Sequence, residues 1–243
     1  MKIAIIGANG QLGSDLVRAF GSEHFVVPLT HNDIDVTDLR SSSEVLIKIM
    51  PEAVINCAAY VRVDDAEVFP EKAFAVNALG ARNIALLCSD MNATLMYIST
   101  DYVFDGKKNS SYTEDELPNP LNVYGNSKLS GEYFIKNIVE KHYIVRSSSL
   151  FGVAGASGKG GNFVETMIKK ARNGEEIKVV EDMIMSPTYT RDAAEIIKKN
   201  LEKKLPFGYY NLVNDGQCSW FEFAGKIFEF INLDVNLSKL FLY

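Results

Sequence analysis

The sequence has few of the residues that build disulfide frameworks or metal sites. It contains three cysteines, an odd number spread over 243 residues, and three histidines that lack the spacing of metal ligands. We therefore predict no metal site, and we expect Cys57, Cys88 and Cys218 to be buried free thiols.

Long apolar runs and an excess of basic residues are also lacking. No uninterrupted apolar run approaches the roughly 20 residues of a membrane helix, and the N-terminal run ends at Gly7, early for a signal peptide. A net charge of −6 argues against nucleic acid as the main partner. We expect a cytoplasmic protein with neither a membrane nor a nucleic-acid partner.

The composition is that of a globular protein, with 47% hydrophobic residues, 23% charged residues and 17 glycines. At this length, one large domain carrying a small lobe is favoured over two equal domains. We place the core at residues 1–150 and a smaller mixed α/β lobe at 151–243, and the two could share strands.

Apolar runs alternate with helical patterns through the first 150 residues. The predicted strands are Lys2–Ile6, Phe25–Leu29, Ala53–Asn56, Thr94–Ser99 and Tyr143–Arg146. The predicted helices run from Leu12 to near Gly21, and over Ser42–Met50, Pro70–Met91 and Leu121–Glu140. This alternation implies a Rossmann-like α/β fold, a doubly wound parallel sheet that binds ligands at the carboxyl ends of its strands.

The remaining residues mix helices with short strands. The predicted helices are Phe163–Asn173, Arg191–Leu201 and Trp220–Ile231, and the predicted strands are Ile177–Val180 and Gly208–Leu212. Five glycines within Gly152–Gly161 predict a mobile loop. We interpret this part as a smaller C-terminal substrate lobe that closes over the core.

Three glycines, Gly7, Gly10 and Gly13, lie between the first strand and the first helix. Glycine is needed where a backbone turns tightly and approaches a pyrophosphate, and the N–H groups at the helix start complement its charge. The alternative is a glycine-rich turn that only packs the helix onto the strand. The strand before and the helix after favour a dinucleotide site, with the spacing of short-chain dehydrogenases.

The choice between NADH and NADPH is normally determined at the end of the second strand. An acidic residue there accepts the ribose hydroxyls of NAD, and a basic one accommodates the phosphate of NADP. Here Thr30, His31 and Asn32 precede Asp33 and Asp35, so the choice stays open. The two aspartates could equally form turns.

Tyr124 and Lys128 are four residues apart on a predicted helix, so both side chains point the same way. Such a pair often arises by chance as an exposed helix pair. Thr100 strengthens the catalytic interpretation, because it ends a predicted buried strand at the edge where such sites are built.

These three residues suit proton transfer to a carbonyl group. A tyrosine has an unperturbed pKa near 10, and a neighbouring ammonium together with an oxidised nicotinamide lowers it. Tyr124 would then protonate a carbonyl oxygen held by Thr100 while the nicotinamide delivers hydride, and Lys128 would also hold the nicotinamide ribose.

Taken together, several segments resemble the dTDP-4-dehydrorhamnose reductases, a family of extended short-chain dehydrogenases. The matching segments are the glycine loop, Asn56–Tyr60, Ser99–Gly106, Pro120–Glu132, Asn162–Phe163 and Ser186–Thr188. The resemblance implies reduction of dTDP-4-dehydro-6-deoxy-L-mannose to dTDP-L-rhamnose with NADPH or NADH, for cell-surface polysaccharide. A homodimer is compatible with it.

The resemblance also implies roles for individual residues. The pyrophosphate would lie on Gly7, Asn9, Gly10, Gln11, Leu12 and Gly13, the adenine near Asp35 and Val36, and the nicotinamide beside Ala58, Ala59, Tyr60, Tyr124 and Lys128. Thr100, Asp101 and Tyr124 would face the sugar.

Three departures from the family pattern concern the sugar. Ser149 stands where the family has a tryptophan that packs on the sugar, and Met183 replaces a glutamine. The chain also ends at Tyr243, before a segment that the family carries, so we expect a short substrate lobe.

Two other functions stay open. One is a non-catalytic, dinucleotide-binding regulatory subunit, and the other is a reductase of a different nucleotide 4-keto sugar. A sugar 4,6-dehydratase is disfavoured, because Tyr102 follows Asp101 where an acidic residue is expected.

Overall fold

A computed structural model describes residues 1–155 and 161–241 as an α/β fold around one six-stranded parallel sheet. The strands in chain order are β1 (Lys2–Ile6), β2 (Phe25–Leu29), β3 (Ala53–Asn56), β4 (Thr94–Thr100), β5 (His142–Ser147), β6 (Leu150–Phe151), β7 (Ile177–Val180), β8 (Ile184–Met185), β9 (Thr188–Tyr189), β10 (Gly208–Asn211), β11 (Cys218–Ser219) and β12 (Leu237–Leu240). The main sheet has the order β10-β5-β4-β3-β1-β2. Each of its pairings is parallel.

Helices connect these strands. They are α1 (Gln11–Gly21), α2 (Leu39–Ile49), α3 (Val63–Val68), α4 (Pro70–Phe74), α5 (Ala81–Asp90), α6 (Val123–Ile138), α7 (Phe163–Arg172), α8 (Thr190–Glu202) and α9 (Trp220–Phe230). A π-helical segment, Ala75–Gly80, joins α4 to α5, and a 3₁₀ turn, Asp101–Val103, follows β4.

Both faces of the sheet are buried under helices. On one face Leu46 of α2, Ile84 of α5 and Ile135 of α6 are fully buried against the strands. On the other face Leu16 of α1 and Ile197 of α8 are fully buried. The predicted doubly wound parallel sheet is therefore confirmed.

Pro28 explains the position of β2. A proline cannot donate a ladder hydrogen bond, so it is tolerated in an edge strand. β2 pairs only with β1 among the described strands and closes one end of the sheet.

Several boundaries differ from the predictions, because capping residues set them. Asp38 accepts hydrogen bonds from the N–H groups of Arg40 and Ser41, so α2 begins at Leu39, three residues early. Asn122 caps α6 through Gly125 N, which starts that helix two residues late.

The predicted single helix Pro70–Met91 is wrong in its middle. The chain stays helical there, but Ala75–Gly80 widens into a π-helix, a feature often found at functional sites. Helix α6 lies very close to this segment, since a Cβ added at Gly131 would be 2.3 Å from the Asn77 carbonyl oxygen. The glycine permits this approach.

Residues beyond 150 form a smaller apolar cluster and also return to the main sheet. Met167 of α7, Ile177 of β7 and Phe228 of α9 are buried together, while β10 pairs with β5. Residues 156–160 of the predicted glycine-rich loop lie outside the described residues. Within the described ranges, each helix is either too short or too polar to cross a membrane.

The cysteines are free thiols, as predicted. Cys88 is buried on α5, but Cys57 and Cys218 are only half-buried. The prediction of burial is wrong for these two, because Cys57 follows the last residue of β3 and Cys218 begins the two-residue strand β11, so neither lies within the core.

Candidate functional site

The site forms where the parallel strands end. β1, β3, β4 and β5 run in the same direction, so the segments that follow them meet at one edge of the sheet. These segments are the glycine loop after β1, Asn56–Tyr60 after β3, the 3₁₀ turn after β4 and Ser147–Ser149 after β5.

The glycine loop is folded tightly. Gly7 has φ +78°, and Gly10 N donates a hydrogen bond to the Gly7 carbonyl oxygen at 3.0 Å. A Cβ added at Gly13 would lie 2.1 Å from that carbonyl oxygen and 2.9 Å from Ala8 Cα. The third glycine is therefore needed to pack α1 against the loop.

The N-terminus of α1 suits a phosphate. The capping residue Gly10 offers no side-chain partner to the first N–H groups of the helix, so these donors are left for a ligand. Helix N-termini of this kind bind anions. The loop fits the pyrophosphate of a dinucleotide.

Asp33 and Asp35 form turns. Asp33 accepts hydrogen bonds from the N–H and hydroxyl groups of Thr30, and Asp35 accepts the same pair from Thr37. These bonds hold the pKa of both carboxyls below the usual value. The turn-forming alternative is observed, and contact of Asp35 and Val36 with adenine stays a prediction.

Asn77, on the π-helical segment, connects two parts of the site. Its Oδ1 accepts from Tyr60 N at 2.8 Å, and its Nδ2 donates to the Tyr60 carbonyl at 3.1 Å and to Ser127 Oγ at 2.9 Å. Asn77 thereby fixes the segment after β3 relative to α6. Sequence reasoning missed it, although a polar residue within a predicted helix, three positions before Gly80, was visible.

Tyr124 and Lys128 both lie on α6 and face the sheet. Lys128 is only 1% exposed, and its Nζ donates to the Ile98 carbonyl oxygen at 2.6 Å and lies 3.9 Å from the centre of the Tyr97 ring. The alternative of an exposed helix pair is therefore wrong. Burial lowers the pKa of Lys128 to about 7, against the opposing charge of Glu132.

Thr100 ends β4 and is 5% exposed. Its side chain lies close enough to Tyr124 to lower the pKa of that phenol, and its Oγ1 donates to Asp101 Oδ1 at 3.1 Å. The structure thus brings Thr100, Tyr124 and Lys128 to one end of the sheet, as predicted from their positions, and Asp101 lies beside them.

The pKa of Tyr124 differs from the expectation. Burial raises it, and the nearby Thr100 side chain lowers it by less. The expected lowering included the charge of an oxidised nicotinamide, and with protein groups alone burial dominates. Tyr124 is therefore a protonated phenol near neutral pH, the state that an acid needs.

A buried ion pair lies behind Lys128. Glu132 is fully buried and accepts from Arg146 Nη2 at 2.7 Å and Nε at 3.1 Å. Ser99 Oγ donates to the same carboxylate at 2.5 Å. In the sequence, Glu132 and Ser99 lie in segments that resemble the family and Arg146 lies on a predicted strand, but none of the three was assigned a role.

Serine side chains line the end of β5. Ser147 pairs in register with Thr100, and its Oγ is buried without a hydrogen-bond partner among the described residues. Burial raises the pKa of Asp101, and the Ser148 side chain opposes that rise. Ser149 has φ +44°. The described residues include no cluster of three or more His, Cys, Asp or Glu placed to hold a metal ion.

Comparison with known proteins agrees with this geometry. A family model described as "RmlD substrate binding domain" matches residues 1–240. A dTDP-4-dehydrorhamnose reductase of Aggregatibacter actinomycetemcomitans is 34% identical over 235 residues, covering 94% of this chain and 78% of that protein. The chain belongs to the dTDP-4-dehydrorhamnose reductase family. The spore coat polysaccharide biosynthesis protein SpsK of Bacillus subtilis (strain 168) is 40% identical over 229 residues, with the same shares covered.

Solved structures show the same family and fold. A dTDP-4-dehydrorhamnose reductase from Bacillus anthracis str. Ames, in complex with NADP, has TM-score 0.94 and 42% identity, covering 99% of this chain and 84% of that one. A Thermus thermophilus UDP-glucose 4-epimerase in complex with NAD, at 18% identity and TM-score 0.87, shares the fold alone. The predicted family, Rossmann-like fold and class of NAD(P)-dependent oxidoreductase are confirmed.

Proposed function

We propose that this member of the dTDP-4-dehydrorhamnose reductase family reduces the 4-keto group of dTDP-4-dehydro-6-deoxy-L-mannose to give dTDP-L-rhamnose, with NADPH or NADH. The observation that carries the proposal is that Thr100, Tyr124 and Lys128 lie together at one end of the sheet, with Lys128 buried one helical turn from Tyr124 and Thr100 close enough to lower the pKa of that tyrosine. Nucleotide-sugar reductases of the family at 34% identity support the substrate class.

The dinucleotide would be held by the chain's own loops. Gly7–Gly13 would receive the pyrophosphate, supported by the start of α1, whose first N–H groups have no side-chain cap. Ala58, Ala59 and Tyr60 would lie beside the nicotinamide, and Lys128 would hold its ribose. When bound, the reduced nicotinamide supplies a hydride to the carbonyl carbon.

Tyr124 would supply the proton. Its high pKa keeps the phenol protonated before reaction, so the hydroxyl can donate to the developing alkoxide at C4. Thr100 would hold the same oxygen by a hydrogen bond. The proton moves from Tyr124 to that oxygen, which leaves an alcohol and a phenolate, and the ammonium of Lys128 stabilises the phenolate.

One specific observation favours a second substrate. Ser147 lies beside Thr100 in register and leaves its buried Oγ free of described partners, so it could bond a polar group of the sugar. A curated relative from Streptomyces niveus, 34% identical, is a dTDP-4-keto-6-deoxy-D-glucose reductase. Reduction of a different dTDP-linked 4-keto sugar is therefore the second candidate.

The experiment compares wild type, Tyr124→Phe and Tyr133→Phe. Tyr133 lies on the same helix but is 49% exposed, which makes it a matched control. NADPH oxidation with either 4-keto sugar is followed by absorbance, and NADPH binding by fluorescence. We expect Tyr124→Phe to lose about 10²-fold or more in turnover while it keeps its NADPH affinity, and Tyr133→Phe to resemble wild type.

Two results would contradict the proposal. Unchanged turnover in Tyr124→Phe would remove Tyr124 as the acid. Dinucleotide binding by wild type without turnover of either sugar would favour a regulatory subunit.

We also propose, as open expectations, the division at residue 150, a homodimer and a cytoplasmic location.

A further inference from the structure

Glu132 lies four residues after Lys128 on α6, so the two side chains share one face of the helix. Both are almost completely buried, with 0% and 1% of their surfaces exposed. Two buried, oppositely charged groups one helical turn apart interact strongly, because little water screens them. No step of the proposed proton transfer uses Glu132.

The partners of Glu132 divide it into two sides. Arg146 binds both carboxylate oxygens, and its guanidinium lies 5.0 Å from the Phe104 ring and 4.6 Å from the Tyr209 ring. Arg146 therefore occupies the side toward β10. Ser99 Oγ donates to Glu132 from β4. The carboxylate is fixed by three hydrogen bonds, with its cationic partner on β5.

The groups that face Lys128 come from three elements. Tyr97 of β4 lies under its ammonium, Cys57 follows β3, and Glu132 lies on its own helix, where Tyr124 is one turn away on the other side. The groups that face Glu132 are Arg146 of β5, Tyr97 of β4 and Tyr209 of β10. Among the groups that face Lys128, Glu132 is the carboxylate.

We propose that Glu132, held by Arg146 and Ser99, is a positioning residue whose charge keeps Lys128 protonated in its buried site. The proposal deepens the proposed function, because a charged Lys128 is what stabilises the phenolate of Tyr124 there. Arg146 holds the carboxylate from the far side and neutralises it enough to stay buried.

The electrostatics of Lys128 support this role. Burial lowers its pKa to about 7, and Glu132 is the largest influence that raises it. Without that charge, the pKa would fall below 7 and most of the lysine would be a neutral amine at neutral pH. A neutral amine could still donate a hydrogen bond, but it would not stabilise a phenolate electrostatically.

The test removes both charges together. Glu132→Gln alone would leave Arg146 buried and unpaired, which strongly destabilises a fold. The pair Glu132→Gln/Arg146→Met keeps an acceptor for Ser99 and leaves no lone buried charge. Ser99→Ala is the matched control, since it removes a hydrogen bond to the same carboxylate but no charge.

The readout is the titration of Lys128 in the free protein. Lysine labelled with ¹³C at the ε carbon is followed by NMR, and Lys128→Met identifies the signal. We expect an apparent pKa near 7 in wild type and Ser99→Ala, and a value lower by about one pH unit in the double variant. The high-pH limb of the turnover profile should move down by the same amount.

An unchanged Lys128 titration in the double variant overturns the inference, as does an equal shift in Ser99→Ala. If the double variant does not fold, Glu132→Met/Arg146→Met, which fills the space with apolar groups, takes its place in the same titration. The NMR titration needs no substrate. A shifted titration with no turnover by wild type would therefore refute the proposed function and leave the inference standing.

Discussion

Gly131→Ala tests how closely α6 must approach the π-helical segment. Two effects oppose each other in this variant. Replacing a glycine inside a helix by alanine stabilises it by about 1 kcal/mol. The new Cβ, however, would lie 2.3 Å from the Asn77 carbonyl oxygen and 2.7 Å from the Tyr97 hydroxyl. The first contact is with backbone and cannot be relieved by rotating a side chain.

Overpacking of this kind costs about 1–3 kcal/mol or more. Because the backbone must move, we take the upper part of that range and expect a net loss of about 1–2 kcal/mol in the free energy of unfolding. The forced movement would also separate Asn77 from Ser127 and shift Tyr124. Misplacement by about 1 Å can cost about 10²-fold in turnover.

The assay is urea unfolding, with turnover measured in parallel. Gly225→Ala in α9 is the matched control, because the nearest atom to its added Cβ, Leu237 Cδ2, is 4.0 Å away. We expect that variant to gain up to about 1 kcal/mol. Stabilisation of Gly131→Ala by the same amount, with full turnover, would refute the reasoning.

The remaining predictions concern the glycine loop and two pH dependences. Gly13→Ala should weaken NADPH binding at least tenfold by fluorescence titration, since its Cβ would meet the Gly7 carbonyl at 2.1 Å; unchanged affinity would contradict the loop's role. Lys128→Met should stabilise the fold most below pH 7 and progressively less toward pH 10. The pKa of Lys128 in the folded protein is lowered to about 7, so the wild-type lysine loses its buried charge as the pH rises above that value. A gain in stability that does not change with pH in urea melts would contradict this. Hydrogen bonds from Tyr112, Lys107 and Asn119 lower the pKa of Asp105 to about 2, so the advantage of wild type over Asp105→Asn should be full above pH 4 and vanish as pH falls toward 2; an advantage that persists at pH 2 would count against it.

The main sheet and the glycine loop could be predicted because their signals are local. Between Lys2 and Gly21 the sequence shows a buried apolar strand, then a glycine-rich turn, then an amphipathic helix. Each of these patterns fixes where the next element can begin. Thr100, Tyr124 and Lys128 could be brought together because parallel strands end at one edge and a helical turn spans four residues.

The missing parts depend on contacts between distant residues. Asn77 donates a hydrogen bond to Ser127, 50 positions away in the sequence. Arg146 of β5 donates to Glu132 of α6, 14 positions away. No local pattern marks such partners. The π-helix was missed for the same reason, since Asn77 uses its side chain to hold Tyr60 and α6 rather than to follow a helical periodicity.

The pKa of Tyr124 could not be derived from spacing either. Spacing indicates which charges are near, but the sign of the shift depends on how completely the hydroxyl is removed from water. In the structure, the rise that burial causes in the pKa of Tyr124 exceeds the lowering caused by Thr100. Tyr124 therefore holds its proton before the reaction and becomes a phenolate only after it has given the proton up.

Hydride transfer to a nucleotide 4-keto sugar is the central claim, and isotope transfer measures it most directly. The protein is incubated with dTDP-4-dehydro-6-deoxy-L-mannose and NADPH that carries deuterium at the transferred position of the nicotinamide, and the sugar product is analysed by mass spectrometry and NMR. We expect one deuterium at C4 of a dTDP-linked 6-deoxyhexose, in an amount equal to the NADPH oxidised. With Tyr124→Phe, we expect almost no deuterated sugar. A protein that binds NADPH but leaves both the 4-keto sugar and its close isomers without deuterium would contradict that claim.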